Sequence, residues 1–153
     1  MVYFLALLIG VIAGLRAMTA PAAIAFAAHY GLLNLSGTWL AFLGYRWTPW
    51  IFLVLAIGEL VTDQLPTTPS RKVPVQFGTR ILMGAMTGGA LGVAAGSLWA
   101  GAIAGVIGAI IGTLGGSAVR AKMAAAFGKD RPAALIEDAV AIAAAVLIVL
   151  ALP

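Results

Sequence analysis

Long apolar runs, separated by short polar segments, make up most of this chain. A helix that crosses a bilayer needs about 20 mainly apolar residues, and these runs approach or exceed that length. The pattern predicts an all-α integral membrane helical bundle that forms a single domain over residues 1–153. It has five to six transmembrane segments, depending on whether the first run crosses once or forms a hairpin. The predicted segments are residues 2–29, 49–65, 76–98, 101–127 and 132–152.

The first run is too long for one straight span and is interrupted near its middle. Gly14, Arg16 and Pro21 fall there, and glycine and proline together favour a helix break. The sequence therefore predicts either a broken helix or a hairpin of two short helices, with Arg16 at the break. The following connector, residues 30–47, is rich in tryptophan and tyrosine, which favour the level of the lipid headgroups.

Composition supports the membrane assignment and excludes several kinds of site. The chain is 63% hydrophobic and 9% charged, whereas a soluble domain carries roughly 25% charged residues. The absence of cysteine excludes disulfides, thiolate metal sites and cysteine nucleophiles. The net charge of +4 does not indicate nucleic-acid binding, because most basic residues fall at predicted helix ends. No phosphate-binding or dinucleotide-binding motif is present, and we predict no cofactor.

The distribution of basic residues between the loops predicts the orientation in the membrane. The loops at residues 66–75 and 128–132 carry the basic residues Arg71, Lys72, Lys129 and Arg131. Only Arg46 is left for the opposite side. Because loops rich in lysine and arginine stay in the cytoplasm, both of these loops are predicted to be cytoplasmic and the C-terminus to be outside.

Seven ionisable residues lie inside the apolar runs, where each costs about 2.5 to 3.5 kcal/mol at the centre of a transmembrane helix. They are Arg16, Glu59, Asp63, Arg80, Arg120, Glu137 and Asp138. From the helical rise, most fall at a similar depth in the cytoplasmic half, with Arg16 deeper. We expect them to form a paired network, which is either a substrate, ion or coupling site or a set of ion pairs that fixes helix packing.

Within this network the expected roles differ by residue type. The arginines would bind an anion or hold counter-charge, and Arg16 beside a break suits an anion. Burial disfavours the charged form of a carboxyl group, so Glu59 or Glu137 is the better candidate for carrying a proton. We predict no metal site, because three arginines compensate the same carboxylates. A Ser117–His29 pair lacks any supporting motif, so His29 is interpreted as interfacial and the protein is not expected to be an enzyme.

Two glycine ladders predict close helix packing. They comprise Gly84, Gly88, Gly92 and Gly96, and then Gly101, Gly105, Gly108, Gly112 and Gly115. Small residues on one helix face let two backbones approach in lipid. We expect packing between adjacent antiparallel helices, with a homodimer seam as the alternative.

Three motifs follow one another along the chain: Gly14-Leu15-Arg16-Ala17-Met18-Thr19-Ala20-Pro21, Glu59-Leu60-Val61-Thr62-Asp63-Gln64-Leu65-Pro66 and Leu135-Ile136-Glu137-Asp138. In this order they resemble the bacterial membrane proteins grouped as domain-of-unknown-function family 4126. The resemblance covers nearly the whole chain, although Gln64 stands where lysine is commoner in that family. It implies a multi-pass protein of the bacterial inner membrane and implies no activity.

The leading functional expectation is a small inner-membrane transporter or permease that binds a polar or anionic solute, an ion or a lipid headgroup at the charged network. The first alternative is a non-transporting structural or assembly protein that uses the charges for packing. The second is a membrane enzyme acting on lipid phosphates. A water-connected cavity that reaches Glu59 favours transport, whereas a dry, saturated ion-pair network favours the structural role.

Overall fold

The computed structural model describes residues 2–33, 35, 38–62, 74–128 and 130–152. This part of the chain is helical and contains no β-strand, which confirms the all-α prediction. The elements are α1 (Val2–Leu15), α2 (Thr19–His29), a 3₁₀ helix (Trp39–Gly44), α3 (Thr48–Thr62), α4 (Pro74–Ala94), α5 (Leu98–Phe127) and α6 (Asp130–Leu150).

The predicted break in the first apolar run is confirmed. Helix α1 ends at Leu15 and α2 begins at Thr19, so three residues separate them. Pro21 lies in the first turn of α2, where its missing N–H would have no intrahelical partner anyway. The 3₁₀ helix lies inside the connector at residues 30–47, and its six residues are too few for the sequence pattern to reveal.

Two described helices are long and apolar enough to cross a membrane by themselves. They are Leu98–Phe127 and Pro132–Leu150. The stretches Val2–Leu15 and Thr48–Val61 are apolar but shorter. By length and composition two of the described helices could cross a membrane, and the five to six spans predicted from the sequence are not established.

Helices α1, α4 and α5 form a central group in which glycines bring the backbones together. A Cβ atom added at Gly88 of α4 would lie 2.8 Å from the Cα of Gly105 in α5. One added at Gly10 of α1 would also lie 2.8 Å from Gly105 Cα, so α5 is approached closely from two sides. The order of these contacts makes α1 parallel to α5, and α4 antiparallel to both.

Most of the glycine ladders therefore pack within the chain. Gly84, Gly88, Gly92, Gly101 and Gly105 pack between the antiparallel helices α4 and α5, as expected. Gly108 and Gly112 instead pack on α1, which is parallel to α5. Two ladder positions are exceptions, because an added Cβ at Gly96 or Gly115 would meet no atom within 4 Å. Gly96 has φ +94° in the turn between α4 and α5, a conformation that favours glycine.

A second group consists of α2, the 3₁₀ helix and α3, with α2 and α3 antiparallel. The Phe26 and Trp50 rings meet edge to face with their centroids 5.4 Å apart. The Thr48 hydroxyl donates to Phe42 O at 2.7 Å and ties the start of α3 to the 3₁₀ helix. Among the described residues, α3 packs mainly on α2 and the 3₁₀ helix. The three-residue break joins this second group to α1.

Candidate functional site

The break between α1 and α2 frees backbone amides that side chains then bind. In a continuous helix, Ala17 N–H and Met18 N–H would donate to carbonyl groups four residues earlier. Here Ala17 N–H donates to Glu59 Oε2 at 3.1 Å, and Met18 N–H donates to Glu59 Oε1 at 3.3 Å. Met18 supplies no side-chain cap of its own. The carboxylate of Glu59, which belongs to α3, therefore binds the two amides that immediately precede α2.

The carbonyl groups freed on the α1 side of the break are bound as well. Gly14 O accepts a hydrogen bond from Arg80 Nη1 at 2.9 Å and a longer one from Thr113 Oγ1 at 3.5 Å. Leu15 O accepts from Arg16 Nη1 at 2.9 Å. Side chains thus bind the backbone groups that the interruption frees, as buried backbone groups require.

Arg16 lies at the break with 0% exposure and joins two consecutive acidic residues of α6. Its Nη1 donates to Glu137 Oε1 at 2.8 Å, and its Nε and Nη2 both donate to Asp138 Oδ1. Glu137 and Asp138 are buried too, with 6% and 7% exposure. A guanidinium group has five donors in a fixed fork, so one arginine can bind both carboxylates and a carbonyl at once.

Each of the α-helices α3, α4, α5 and α6 thus supplies a side chain to the same interruption. We call this group the break cluster: Arg16, Glu59, Arg80, Thr113, Glu137 and Asp138. The Thr19 hydroxyl at the start of α2 is also buried, and it makes no hydrogen bond to any residue that the structure describes. The break cluster therefore combines charged side chains with the buried ends of two helices.

Five of the seven sequence-predicted charges belong to the break cluster. Asp63 lies outside the described residues. Arg120 lies about two turns beyond Thr113 on α5, roughly 10 Å further along the helix axis. Arg16 contacts both acids of α6 directly, and the predicted greater depth of Arg16 in the membrane stays a prediction. Glu59 accepts hydrogen bonds from two backbone amides, and its carboxylate also interacts electrostatically with Arg80 and Arg16.

The sequence analysis missed Thr113 as part of the site. Thr113 is buried next to Gly112 on the face of α5 that packs against α1, so a hydroxyl on a glycine-rich face was the available signal. No group of three or more His, Asp or Glu side chains in the described part of the chain could hold a metal ion.

The opposite end of α2 carries His29 and is separate from the break cluster. His29 is exposed and lies about 16 Å from the break by the helical rise. Its Nδ1 is 3.3 Å from Gly44 O, and its ring meets Tyr30 edge to face. An open cavity of about 530 Å³ lies nearby, with a lining that includes Ala28, Leu33 and Tyr45 but no residue of the break cluster.

Comparison of the chain with protein-family models, with curated proteins and with solved structures finds no match. The resemblance to domain-of-unknown-function family 4126 thus stays a prediction from the three ordered motifs.

Proposed function

We propose that this protein is a small multi-pass transporter of the bacterial inner membrane, and that the break cluster is its site for a polar solute or an ion. The observation that supports this most directly is a helix interrupted at Arg16, whose freed backbone groups are bound by charged side chains of α3 and α4 and by Arg16 itself. Arg16 is in turn paired with the acids of α6. Interrupted helices that present their ends to substrates and coupling ions are a recurring device of secondary transporters.

The energetic argument favours a functional reason for these charges. Five charges in an apolar bundle would cost on the order of 15 kcal/mol on insertion scales if none were paired. Pairing lowers that cost, yet buried ion pairs are often no better for stability than apolar packing of the same volume. Intramembrane charges usually mark a solute or proton pathway, and a transport role explains their presence here.

In this proposal residues 2–29 form the hairpin alternative, because α1 runs antiparallel to α4, and helices α1 to α6 provide six transmembrane segments. The loops at residues 66–75 and 128–132 face the cytoplasm, and the C-terminus lies outside. Exposed aromatic side chains gather at the other end of α2 and α3, namely Tyr30, Tyr45, Trp47 and Trp50. Such amphipathic rings suit the external membrane interface, where Arg46 lies 5.0 Å over the ring of Trp47.

A structural or assembly role is the second candidate. It is favoured by Arg16, which is completely buried and fully engaged by Glu137, Asp138 and Leu15 O. In that case the break cluster fixes helix registry and binds no solute.

A ligand screen separates the two candidates. Thermal unfolding of purified protein is measured with amino acids, carboxylates, phosphate esters and inorganic ions, each added singly. A ligand that binds only the folded protein stabilises it by about 2.7 kcal/mol at 100 times its Kd. Transport predicts that at least one probe stabilises the wild type and Arg46→Gln, but not Arg80→Gln. If no probe shifts the unfolding temperature of any of the three proteins, the structural role is favoured.

A further inference from the structure

Glu59 differs from the two other described acids of the break cluster in what it binds. Glu137 and Asp138 are almost completely buried and are held by the charge of Arg16. Glu59 is partly exposed, and its two oxygens accept from the backbone of a different helix. Of these three acids, Glu59 is therefore the one that combines access with a direct hold on the break.

The protonation state of the Glu59 carboxyl group decides how many backbone amides it can bind. As a carboxylate, Glu59 offers two acceptor oxygens, and each takes one N–H of the break. A protonated carboxyl group keeps one good acceptor, and its O–H is a donor that faces another donor. Binding of one proton therefore removes one of the two hydrogen bonds and weakens the other, because the charge that assisted it is lost.

The rest of the fold determines what moves when these bonds are lost. Helix α1 is held against α5 by backbone contacts at glycines, packs on α4 with a bond from Arg80 to Gly14 O, and is tied to α6 through Arg16. Helix α3 packs mainly on α2 and the 3₁₀ helix, and Phe26 and Trp50 join α2 to α3. Met18 makes no side-chain capping bond that could replace those of Glu59. Among the described residues, Glu59 is the side chain of α3 that bonds to the break.

We propose that Glu59 is the proton-binding latch of the break: a proton on its carboxylate releases an amide of Ala17 or Met18 and lets α2 and α3 move together against α1. This inference rests on the proposed transport function, for which it supplies the coupling ion and the moving part. A hinge of a few residues between two packed groups is the usual basis of such movements.

Two arginines are the charged groups that act directly on Glu59 among the residues that the structure describes. Arg80 on α4 and Arg16 at the break both face its carboxylate, and Glu137 and Asp138 lie behind Arg16. The rest of described α3 carries no other charged residue, and the 3₁₀ helix carries none. On α2 the single titratable group is His29, at the far end from the break.

Distance measurements between spin labels test the latch in the otherwise wild-type chain. The chain has no cysteine, so labels attach only where cysteine is introduced. Val54 on α3 and Ile103 on α5 are 68% and 60% exposed, and they form the reporting pair. Leu82 on α4 and Ile103 form the control pair, because glycine contacts hold α4 against α5. Both distances are measured in lipid nanodiscs from about pH 4 to about pH 9, which brackets carboxyl and histidine titration.

We expect the Val54–Ile103 distance to change by at least about 2 Å over this range, the scale of helix shifts at interfaces, while the control distance stays constant. Glu59→Gln should give the low-pH distance at every pH, since an amide side chain has one acceptor oxygen. His29→Gln should leave the shift unchanged. A constant reporting distance, a shift that is lost in His29→Gln, or a shift that survives Glu59→Gln overturns the latch.

The same measurements separate failure of the latch from failure of the transport proposal. A distance shift that depends on Glu59 supports the latch even if no probe binds or moves across proteoliposomes, and that outcome overturns transport alone. Solute flux with a pH-independent distance supports transport and overturns the latch. If Glu59→Gln does not fold, the latch can still be refuted with the other two proteins. The Val54–Ile103 distance must change with pH in the wild type, and His29→Gln must keep that change.

Discussion

Neutralising Arg16 is the most severe single change that the structure predicts for stability. Arg16→Gln removes the arginine counter-charge of Glu137 and Asp138, two buried residues with 6% and 7% exposure. It also removes the bond from the guanidinium to Leu15 O. Removing one partner of a buried ion pair costs about 3 to 5 kcal/mol, and here one arginine serves two acids. We therefore expect a loss at the upper end of that range.

The matched variants separate charge from packing. Arg46→Gln removes an arginine that is exposed and rests on Trp47, so it should change the free energy of unfolding by less than about 1 kcal/mol. The triple variant Arg16→Gln, Glu137→Gln, Asp138→Asn removes all three charges together and should recover most of the loss. Unfolding in mixed detergent micelles measures each free energy. Two results would refute the buried ion pair as the cause. One is a free energy of unfolding of Arg16→Gln within about 1 kcal/mol of wild type, and the other is a triple variant that is no more stable than Arg16→Gln.

The remaining predictions concern packing, the break and topology. Gly88→Ala should destabilise by about 1 to 3 kcal/mol, because its Cβ would lie 2.8 Å from a backbone atom of α5. Gly78→Ala, where an added Cβ meets nothing within 4 Å, should be neutral or stabilising, and equal unfolding of the two variants would contradict the glycine contact. Thr113→Val should cost less than about 1.5 kcal/mol, because Gly14 O keeps its shorter bond from Arg80, and a larger loss in unfolding experiments would make Thr113 a primary support of the break. Cysteines at Ser70 and Lys129 should react with membrane-impermeant maleimide only from the cytoplasmic side, and labelling from opposite faces would overturn the span count.

Much of the site could be predicted because charges contrast sharply with apolar surroundings. Arg16 and Glu137 stood out for that reason, and the break followed from the glycine and proline on either side of Arg16. The helical rise predicts how far along its helix each charged residue lies, but not which residue of another helix it contacts. Which acid meets which arginine depends on the order in which the helices pack, and that order comes from long-range contacts of the glycine faces. Thr113 was missed because a single hydroxyl in an apolar helix has no sequence contrast with a structural threonine.

The role of Glu59 could not be predicted because its partners are backbone amides. Every residue except proline has an N–H group, so the sequence does not mark the two that a break leaves free. The number of membrane spans was equally beyond the pattern. Apolar runs predict where helices lie, but α1 and α2 are each shorter than a span, and their paths through a bilayer depend on the geometry of the break.

The central claim is that the break cluster moves a solute or an ion across the membrane, and charge displacement in proteoliposomes on a solid-supported electrode tests it most directly. Each probe of the ligand screen is applied as a concentration jump, and the current is compared for wild type, Glu59→Gln and Arg46→Gln. The account predicts a current with at least one probe in wild type and Arg46→Gln, and its loss in Glu59→Gln protein that inserts and unfolds like wild type. Currents equal to those of empty liposomes for every probe, or a wild-type current that Glu59→Gln retains in full, would contradict it.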